Sequence, residues 1–173
     1  MVVWGTAVEL LSRRIIMDIQ IVNGNLEYLE ACKEALLISE LGRKYFSNTT
    51  NAERAIIEGF ERNNIYVALY LGECIGFMYY IPGGAFHSFP YLHIIAIKEA
   101  YRSKGIGKQM LDFLEKELFK ISDKLFLVTS DFNTDAIRFY KKNGYKQVGM
   151  IPNLYRKGIT EYLFMKEKET IIE

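Results

Sequence analysis

A glycine-rich segment lies near the middle of the chain, Arg102-Ser103-Lys104-Gly105-Ile106-Gly107-Lys108. The preceding residues, 91–97, are rich in β-branched and aromatic side chains and predict a buried strand. The following residues, 106–118, carry apolar side chains at helical spacing. Glycines let a backbone approach a ligand closely, and free N–H groups at a helix start attract anions. The segment therefore predicts an α/β protein with a site for a phosphate-bearing ligand.

Two familiar phosphate-binding motifs do not fit this segment. A P-loop requires Ser or Thr after Gly-Lys, whereas Gln109 follows Gly107-Lys108. A P-loop also requires a glycine five residues before Gly107, and no glycine stands there. A dinucleotide fingerprint requires a third small residue where Met110 stands. The remaining alternative is a loop with two ordinary turn glycines.

The rest of the chain predicts one mixed sheet with helices, in the order β-α-α-β-β-β-α-β-α-β-β. Strands are predicted over 18–22, 65–70, 74–80, 91–97, 125–128, 145–150 and 161–165. Helices are predicted over 26–42, 50–62, 106–118 and from Asn133 to a C-cap at Asn143-Gly144. A loop is expected over 42–49, and Pro82-Gly83-Gly84 is expected to break the chain.

Length and composition exclude several classes of protein. A chain of 173 residues suits one domain, predicted over 17–167, with an N-terminal extension over 1–16 and a tail over 168–173. A terminal strand or helix is the alternative for 1–16. The net charge of +1 gives no reason to expect a nucleic acid partner, and no apolar run reaches the length of a membrane helix.

The cysteines and histidines are too few and too scattered for a metal site. Cys32 and Cys74 form no CxxC pair, which favours a reducing, cytoplasmic location and core positions for both thiols. With His87 and His93 as the two histidines, no zinc framework is expected.

Two motifs together resemble the GNAT superfamily of N-acetyltransferases. Arg102-x-x-Gly105-x-Gly107, preceded by Ile95-Ala96-Ile97, is similar to the acyl-CoA-binding motif of that family. The segment from Asn133 to Tyr145 is similar to its second signature, N-x-x-A-x-x-x-Y-x-x-x-G-[FY]. The element order also matches over 17–165. The resemblance implies a GNAT-like fold, with a mostly antiparallel mixed sheet, a splayed centre and about four flanking helices.

The resemblance implies acetyl-CoA as acyl donor, an amine acceptor, no metal and, as a common family trait, a homodimer. It assigns cofactor binding to the strand, the loop and the second signature, namely Ile95, Ala96, Ile97, Arg102, Ser103, Lys104, Gly105, Ile106, Gly107, Lys108, Asn133 and Tyr140. Asn133 would bind the pantetheine arm, with a helix N-cap as its local alternative.

Two residues are implied as catalytic. Tyr140 stands at the family's tyrosine position and would protonate the leaving thiolate; from spacing alone it is a half-buried core tyrosine. The run from Leu92 to Ile97 resembles the strand of arylalkylamine N-acetyltransferases in which a histidine helps to remove the amine proton. His93 is therefore the candidate base, with a core histidine as the alternative. Tyr91 and Val128 stand near positions where other family members carry a glutamate.

The acceptor is not identified by any motif. The resemblance assigns acceptor choice to 26–62 and 150–160, and five aromatic residues are candidates either for an acceptor pocket or for the core: Tyr45, Phe46, Phe86, Phe89 and Tyr155. A catalytically silent acyl-CoA-binding module is the alternative function. A nucleotide-binding domain is disfavoured by the two failed motifs.

Overall fold

The computed structural model describes residues 17–46 and 49–169, so the predicted extension over 1–16 and most of the predicted tail lie outside the described residues. No helix in these two ranges is long and apolar enough to cross a membrane. The ranges contain five α-helices and seven strands. The helices are α1 Leu29–Leu37, α2 Glu40–Tyr45, α3 Thr49–Glu61, α4 Ile106–Leu118 and α5 Thr134–Lys142. The strands are β1 Gln20–Asn23, β2 Ile65–Tyr70, β3 Glu73–Ala85, β4 Phe89–Ile97, β5 Lys124–Ser130, β6 Lys146–Pro152 and β7 Thr160–Glu167.

All seven strands form one sheet in the order β1-β2-β3-β4-β5-β7-β6. Strands β4 and β5 are parallel, and every other neighbouring pair is antiparallel. The tight turn between β2 and β3 has positive φ at both Leu71 and Gly72, which matches the twist of a two-residue hairpin. The predicted mixed, mostly antiparallel sheet is confirmed.

The sheet opens between β4 and β5. These strands pair at two positions, Tyr91 with Phe126 and Leu92 with Leu127, and no further pair joins them before they end. Backbone groups on this side of the last part of β4 are therefore free of sheet pairing, and the predicted splayed centre is confirmed.

Each face of the sheet is covered by its own helices. Met110 and Leu114 of α4 and Tyr140 of α5 pack with Leu127 and Phe164 on one face, called here the α4–α5 face. Residues of α1 and α3 pack on the opposite face, called the α1–α3 face. Cys32 and Cys74 are free thiols buried in the core of the α1–α3 face, as predicted.

A short helix, α2, occupies part of the segment predicted as a loop over 42–49, and the first predicted helix ends early. Ser39 separates α1 from α2: its hydroxyl donates to the carbonyl of Leu36 at 2.6 Å and accepts from the Gly42 N–H at 2.9 Å. A Cβ on Gly42 would lie 1.9 Å from the Leu36 carbonyl oxygen. This close reversal accounts for five helices where about four were expected.

The predicted break at Pro82-Gly83-Gly84 is wrong, because β3 continues to Ala85. The pairing of β3 with β4 shifts between Ile81 and Ala85, so the segment is an irregular part of a strand. A Cβ on Gly84 would lie 2.8 Å from the Cβ of Tyr91, which explains a glycine inside this strand.

Candidate active site

A cleft of about 840 Å³ opens where β4 and β5 separate. Residues of β4 and β5 line its middle, loop 102–108 and α5 contribute from the α4–α5 face, and α2 contributes from the other side. The cleft therefore reaches both faces of the sheet, so two ligands could enter from opposite faces and meet at the opening.

The loop presents the N-terminus of α4 to this cleft. Ser103 and Gly105 have positive φ, and Gly105 precedes Ile106, the first residue of α4. No side chain caps this helix start within the described residues. The first-turn N–H groups therefore remain available, and together with the helix dipole they suit an anionic group.

Arg102 adds a cation beside this helix start. Its Nε donates to the carbonyl oxygen of Ile97 at 2.9 Å, which fixes the loop against the end of β4. Its Nη2 is buried and has no partner among the described residues. A buried guanidinium nitrogen without a partner is costly, so Arg102 fits a site that binds a phosphate.

Most predicted cofactor residues meet in the cleft. The lining includes Ile95, Ala96, Ile97, Arg102, Ser103, Gly105, Gly107, Lys108, Asn133 and Tyr140. Lys104 and Ile106 do not line it. The Ile106 side chain is buried in the core, and the Lys104 ammonium lies 5.5 Å from the centre of the Tyr101 ring. Asn133 is also the N-cap of α5, because its Oδ1 accepts from the Ala136 N–H at 3.3 Å.

Tyr140 is buried in the core and also lines the cleft. Its side chain is 6% exposed, and its ring contacts Tyr145 and Phe164 in the core of the α4–α5 face. It nevertheless lines the cleft, and its hydroxyl has no hydrogen bond to another described residue. Burial raises the pKa of the Tyr140 phenol, so the group keeps its proton at neutral pH and can donate it.

His93 lies at a β-bulge, on the face of β4 opposite to Leu92. The register of β3 with β4 shifts at this point, since Tyr79 pairs with Ile94 and Tyr80 pairs with Leu92. The imidazole packs edge-on against the Tyr79 ring at 5.1 Å and is exposed to the cleft, so it is not a satisfied core histidine. The cleft walls lower its pKa by partial loss of water, and the Glu58 carboxylate opposes this shift. The neutral imidazole can accept a proton.

Three of the five predicted aromatic residues line the cleft, and the other two, Phe86 and Phe89, lie outside both the cleft and the core, with Phe86 65% exposed. Tyr45, Phe46 and Tyr155 line the cleft. Phe86 and Phe89 do not, and both rings instead pack against Phe126, with centroid distances of 5.4 and 5.5 Å.

Sequence reasoning missed a cluster of hydroxyls around a buried carboxylate. Ser130 at the end of β5 donates to Glu161 on β7 at 2.8 Å, and the Tyr45 hydroxyl also donates to Glu161. All three residues line the cleft. The available signal was weak: Glu161 opens an otherwise apolar strand, at a position where a glutamate is usually solvated. Among the described residues, no group of three or more His, Cys, Asp or Glu side chains is placed to hold a metal ion.

Comparisons with known proteins agree with this geometry. The model of the "Acetyltransferase (GNAT) family" matches residues 33–145. An uncharacterized N-acetyltransferase of Methanocaldococcus jannaschii is 30% identical over 141 residues, covering 79% of this chain and 87% of the relative. An N-alpha-acetyltransferase of Sulfurisphaera tokodaii is 34% identical over 71 residues, covering 40% of this chain and 42% of that protein.

A solved structure of an aminoglycoside 6'-N-acetyltransferase complexed with coenzyme A has a TM-score of 0.72, with 19% identity. The alignment covers 89% of this chain and 99% of that structure, and at this identity it shows the fold alone. The family match carries the assignment: the chain belongs to the GNAT family of N-acetyltransferases.

Proposed function

We propose that this protein transfers an acetyl group directly from acetyl-CoA to a primary amine of a small molecule or peptide. One observation carries the proposal: a single cleft joins an anion-binding helix start to a protonated tyrosine and a neutral histidine. Acetyl-CoA supplies the activated thioester, and the residues of this chain bind, orient and move protons.

The chain offers three kinds of group to the acyl donor. The first-turn N–H groups of α4 and the Arg102 guanidinium suit the pyrophosphate. The backbone of β4 from Ile95 to Ile97 pairs with β3 but not with β5, and its free edge can hydrogen-bond the pantetheine arm, as can Asn133. These donors and acceptors follow one another along the cleft, as an extended ligand requires.

The remaining residues serve the transfer itself. The amine must lose a proton to attack the acyl carbon, and His93 accepts that proton. The C–N bond then forms and the C–S bond breaks, while backbone N–H groups of β4 stabilise the developing oxyanion. The nitrogen releases its second proton to water in the cleft, and Tyr140 donates its proton to the departing thiolate. Exchange with solvent then restores the neutral His93 and the Tyr140 phenol.

The decisive experiment is a calorimetric titration of acetyl-CoA, with ATP and NAD as controls, followed by a thiol-release screen against primary amines. Micromolar binding of acetyl-CoA together with thiol release on addition of an amine supports the proposal. Binding without release from any amine favours a catalytically silent acyl-CoA-binding module. Failure of the folded protein to bind acetyl-CoA overturns the proposal.

A further inference from the structure

The Glu161 carboxylate is a buried charge on the side of the cleft away from Tyr140. Tyr162 and Phe164 of β7 face the α4–α5 face. Because side chains alternate along a strand, Glu161 points to the opposite face. Its bond from Tyr45 of α2 agrees with that placement. Glu161 is 2% exposed and lines the cleft, so the small accessible part of its side chain faces the cleft.

The partners of this carboxylate are hydroxyl groups. Ser130 donates to the two carboxylate oxygens at 2.8 and 3.0 Å, and Tyr45 donates to Oε1. Within the described ranges, Glu161 forms no ion pair with a lysine, arginine or histidine. The Arg156 guanidinium lies 5.6 Å from the Tyr45 ring centre, not on the carboxylate. A buried carboxylate is costly unless a cation compensates it.

Aromatic rings surround the space beside Glu161. Tyr155 packs edge-on against Tyr45 at 5.9 Å, and Tyr91 lines the same part of the cleft. Burial raises the pKa of Tyr91 most, and the neighbouring Tyr155, Glu161 and Tyr140 raise it further. Tyr91, Tyr155, Glu161 and Tyr140 all line this one cleft. Ring faces and a carboxylate together are the chemistry that binds an ammonium group.

We propose that Glu161 binds the ammonium group of the acceptor, and that the acceptor is a cationic primary amine held between the rings of Tyr45, Tyr91 and Tyr155. The inference rests on the proposed function, because it names the group that this site would acetylate. Glu161 acts before the chemistry: it holds the protonated amine beside the thioester, and the proton then leaves for His93. Ser130 and Tyr45 are positioning residues that fix the carboxylate.

Calorimetry with two probes of equal shape tests this inference. Benzylamine carries a positive charge at pH 7, whereas benzyl alcohol is neutral, and both are titrated into the full chain saturated with CoA. We expect benzylamine to bind about 10-fold more tightly or better, and Glu161→Gln to abolish that preference. Equal binding of the two probes by the unmodified protein, or an unchanged preference in Glu161→Gln, overturns the inference.

Two further variants separate charge recognition from folding. Glu167→Gln removes an exposed carboxylate at the other end of the same strand and should keep the preference. Glu161→Asp keeps the carboxylate but withdraws it by one methylene, so it should reduce the preference without abolishing it. If Glu161→Gln fails to fold, Glu161→Asp decides: an undiminished preference in that folded variant would contradict direct contact between the carboxylate and the ammonium group.

The two proposals can fail separately. A protein that binds no acetyl-CoA yet prefers benzylamine through Glu161 would overturn the proposed function alone. A protein that releases thiol from acetyl-CoA with an amine, but binds benzylamine and benzyl alcohol equally, would overturn the role of Glu161 alone.

Discussion

Two residues of one type can differ in function because their surroundings differ, as Tyr140 and His93 each show. Tyr140 and Tyr145 are neighbouring buried tyrosines with rings 5.6 Å apart, but Tyr140 lines the cleft and Tyr145 does not. His93 lines the cleft, whereas His87 lies in an exposed turn. Location relative to the opening between β4 and β5, rather than residue type, identifies the candidates for proton transfer.

Removing the Tyr140 hydroxyl should slow turnover without weakening donor binding. Tyr140→Phe keeps the ring in the core but removes the proton donor, so kcat should fall by roughly 10- to 1,000-fold. The steady-state rate of thiol release measures kcat, and calorimetry measures the Kd for acetyl-CoA. Tyr145→Phe is the matched control and should leave kcat unchanged. A Tyr140→Phe protein with full turnover would refute the donor role.

The pH dependence of kcat should report His93. Partial loss of water in the cleft disfavours the charged imidazolium and lowers its pKa below the ordinary 6.5, so the neutral, proton-accepting form persists to lower pH. At saturating amine, kcat should therefore stay level down to pH 6.5 and fall below it. His93→Gln should lower kcat by about 100-fold or more and remove the fall of kcat at low pH, which is the acid limb of the profile. His87→Asn should change neither, and a limb that survives in His93→Gln would exclude His93 as its source.

At the scale of elements, the junction of α1 and α2 positions the acceptor side of the cleft. Ser39 and Gly42 allow α2 to begin two residues after α1 ends. Helix α2 then places Tyr45 where its hydroxyl donates to Glu161. The local periodicity predicted a single helix to Gly42, because 3.6-residue spacing does not reveal a reversal that depends on one close backbone contact.

A side chain at position 42 should weaken amine binding more than acetyl-CoA binding. In Gly42→Ala the new Cβ would meet a backbone oxygen, so α2 must shift, at a cost of about 1–3 kcal/mol of unfolding free energy or more. The displaced Tyr45 should raise KM for the amine several-fold while the Kd for acetyl-CoA changes little. Urea unfolding and steady-state kinetics measure these effects.

Gly149→Ala is the control for that variant. A Cβ on Gly149 would come no closer than 3.7 Å to Leu163, an ordinary contact. Its stability and amine KM should stay near those of the unmodified protein. Equal effects of the two substitutions would show that the contact with Leu36 does not set the position of α2.

At the scale of the whole molecule, one opening in a seven-stranded sheet organises both halves of the site. The groups proposed to bind the acyl donor lie towards the α4–α5 face, and those proposed to bind the acceptor lie towards the α1–α3 face. Strand β6 closes the sheet as an edge strand with Val148 and Met150 exposed. The homodimer implied by the family resemblance stays a prediction, and size-exclusion chromatography with light scattering would measure it.

Binding of acetyl-CoA should stabilise the whole fold. A ligand that binds only the folded state at 100 times its Kd adds about 2.7 kcal/mol to the unfolding free energy. For a chain of this size, that corresponds to a rise in Tm of about 5–11 °C. Differential scanning calorimetry measures it, with equal concentrations of ATP as the control. An equal rise with ATP would contradict a site selective for acetyl-CoA.

The sequence by itself determined the candidates for the donor half of the site. Strand, glycine loop and helix are consecutive in the chain, so local spacing predicted a phosphate site at 102–108, and the resemblance of two local motifs to the family implied the roles of Arg102, Asn133 and Tyr140. Hydrophobic periodicity likewise determined the order of the elements apart from α2, since it records burial residue by residue.

The tertiary structure alone decided the proposed acceptor half. Tyr45, Ser130 and Glu161 are separated by 85 and 31 residues and meet through the insertion of β7 beside β5 and the break between α1 and α2. His93 lines the same cleft from β4. Contacts between distant segments depend on register and strand order, which spacing along one segment does not encode. The buried carboxylate was therefore invisible until the strands were placed.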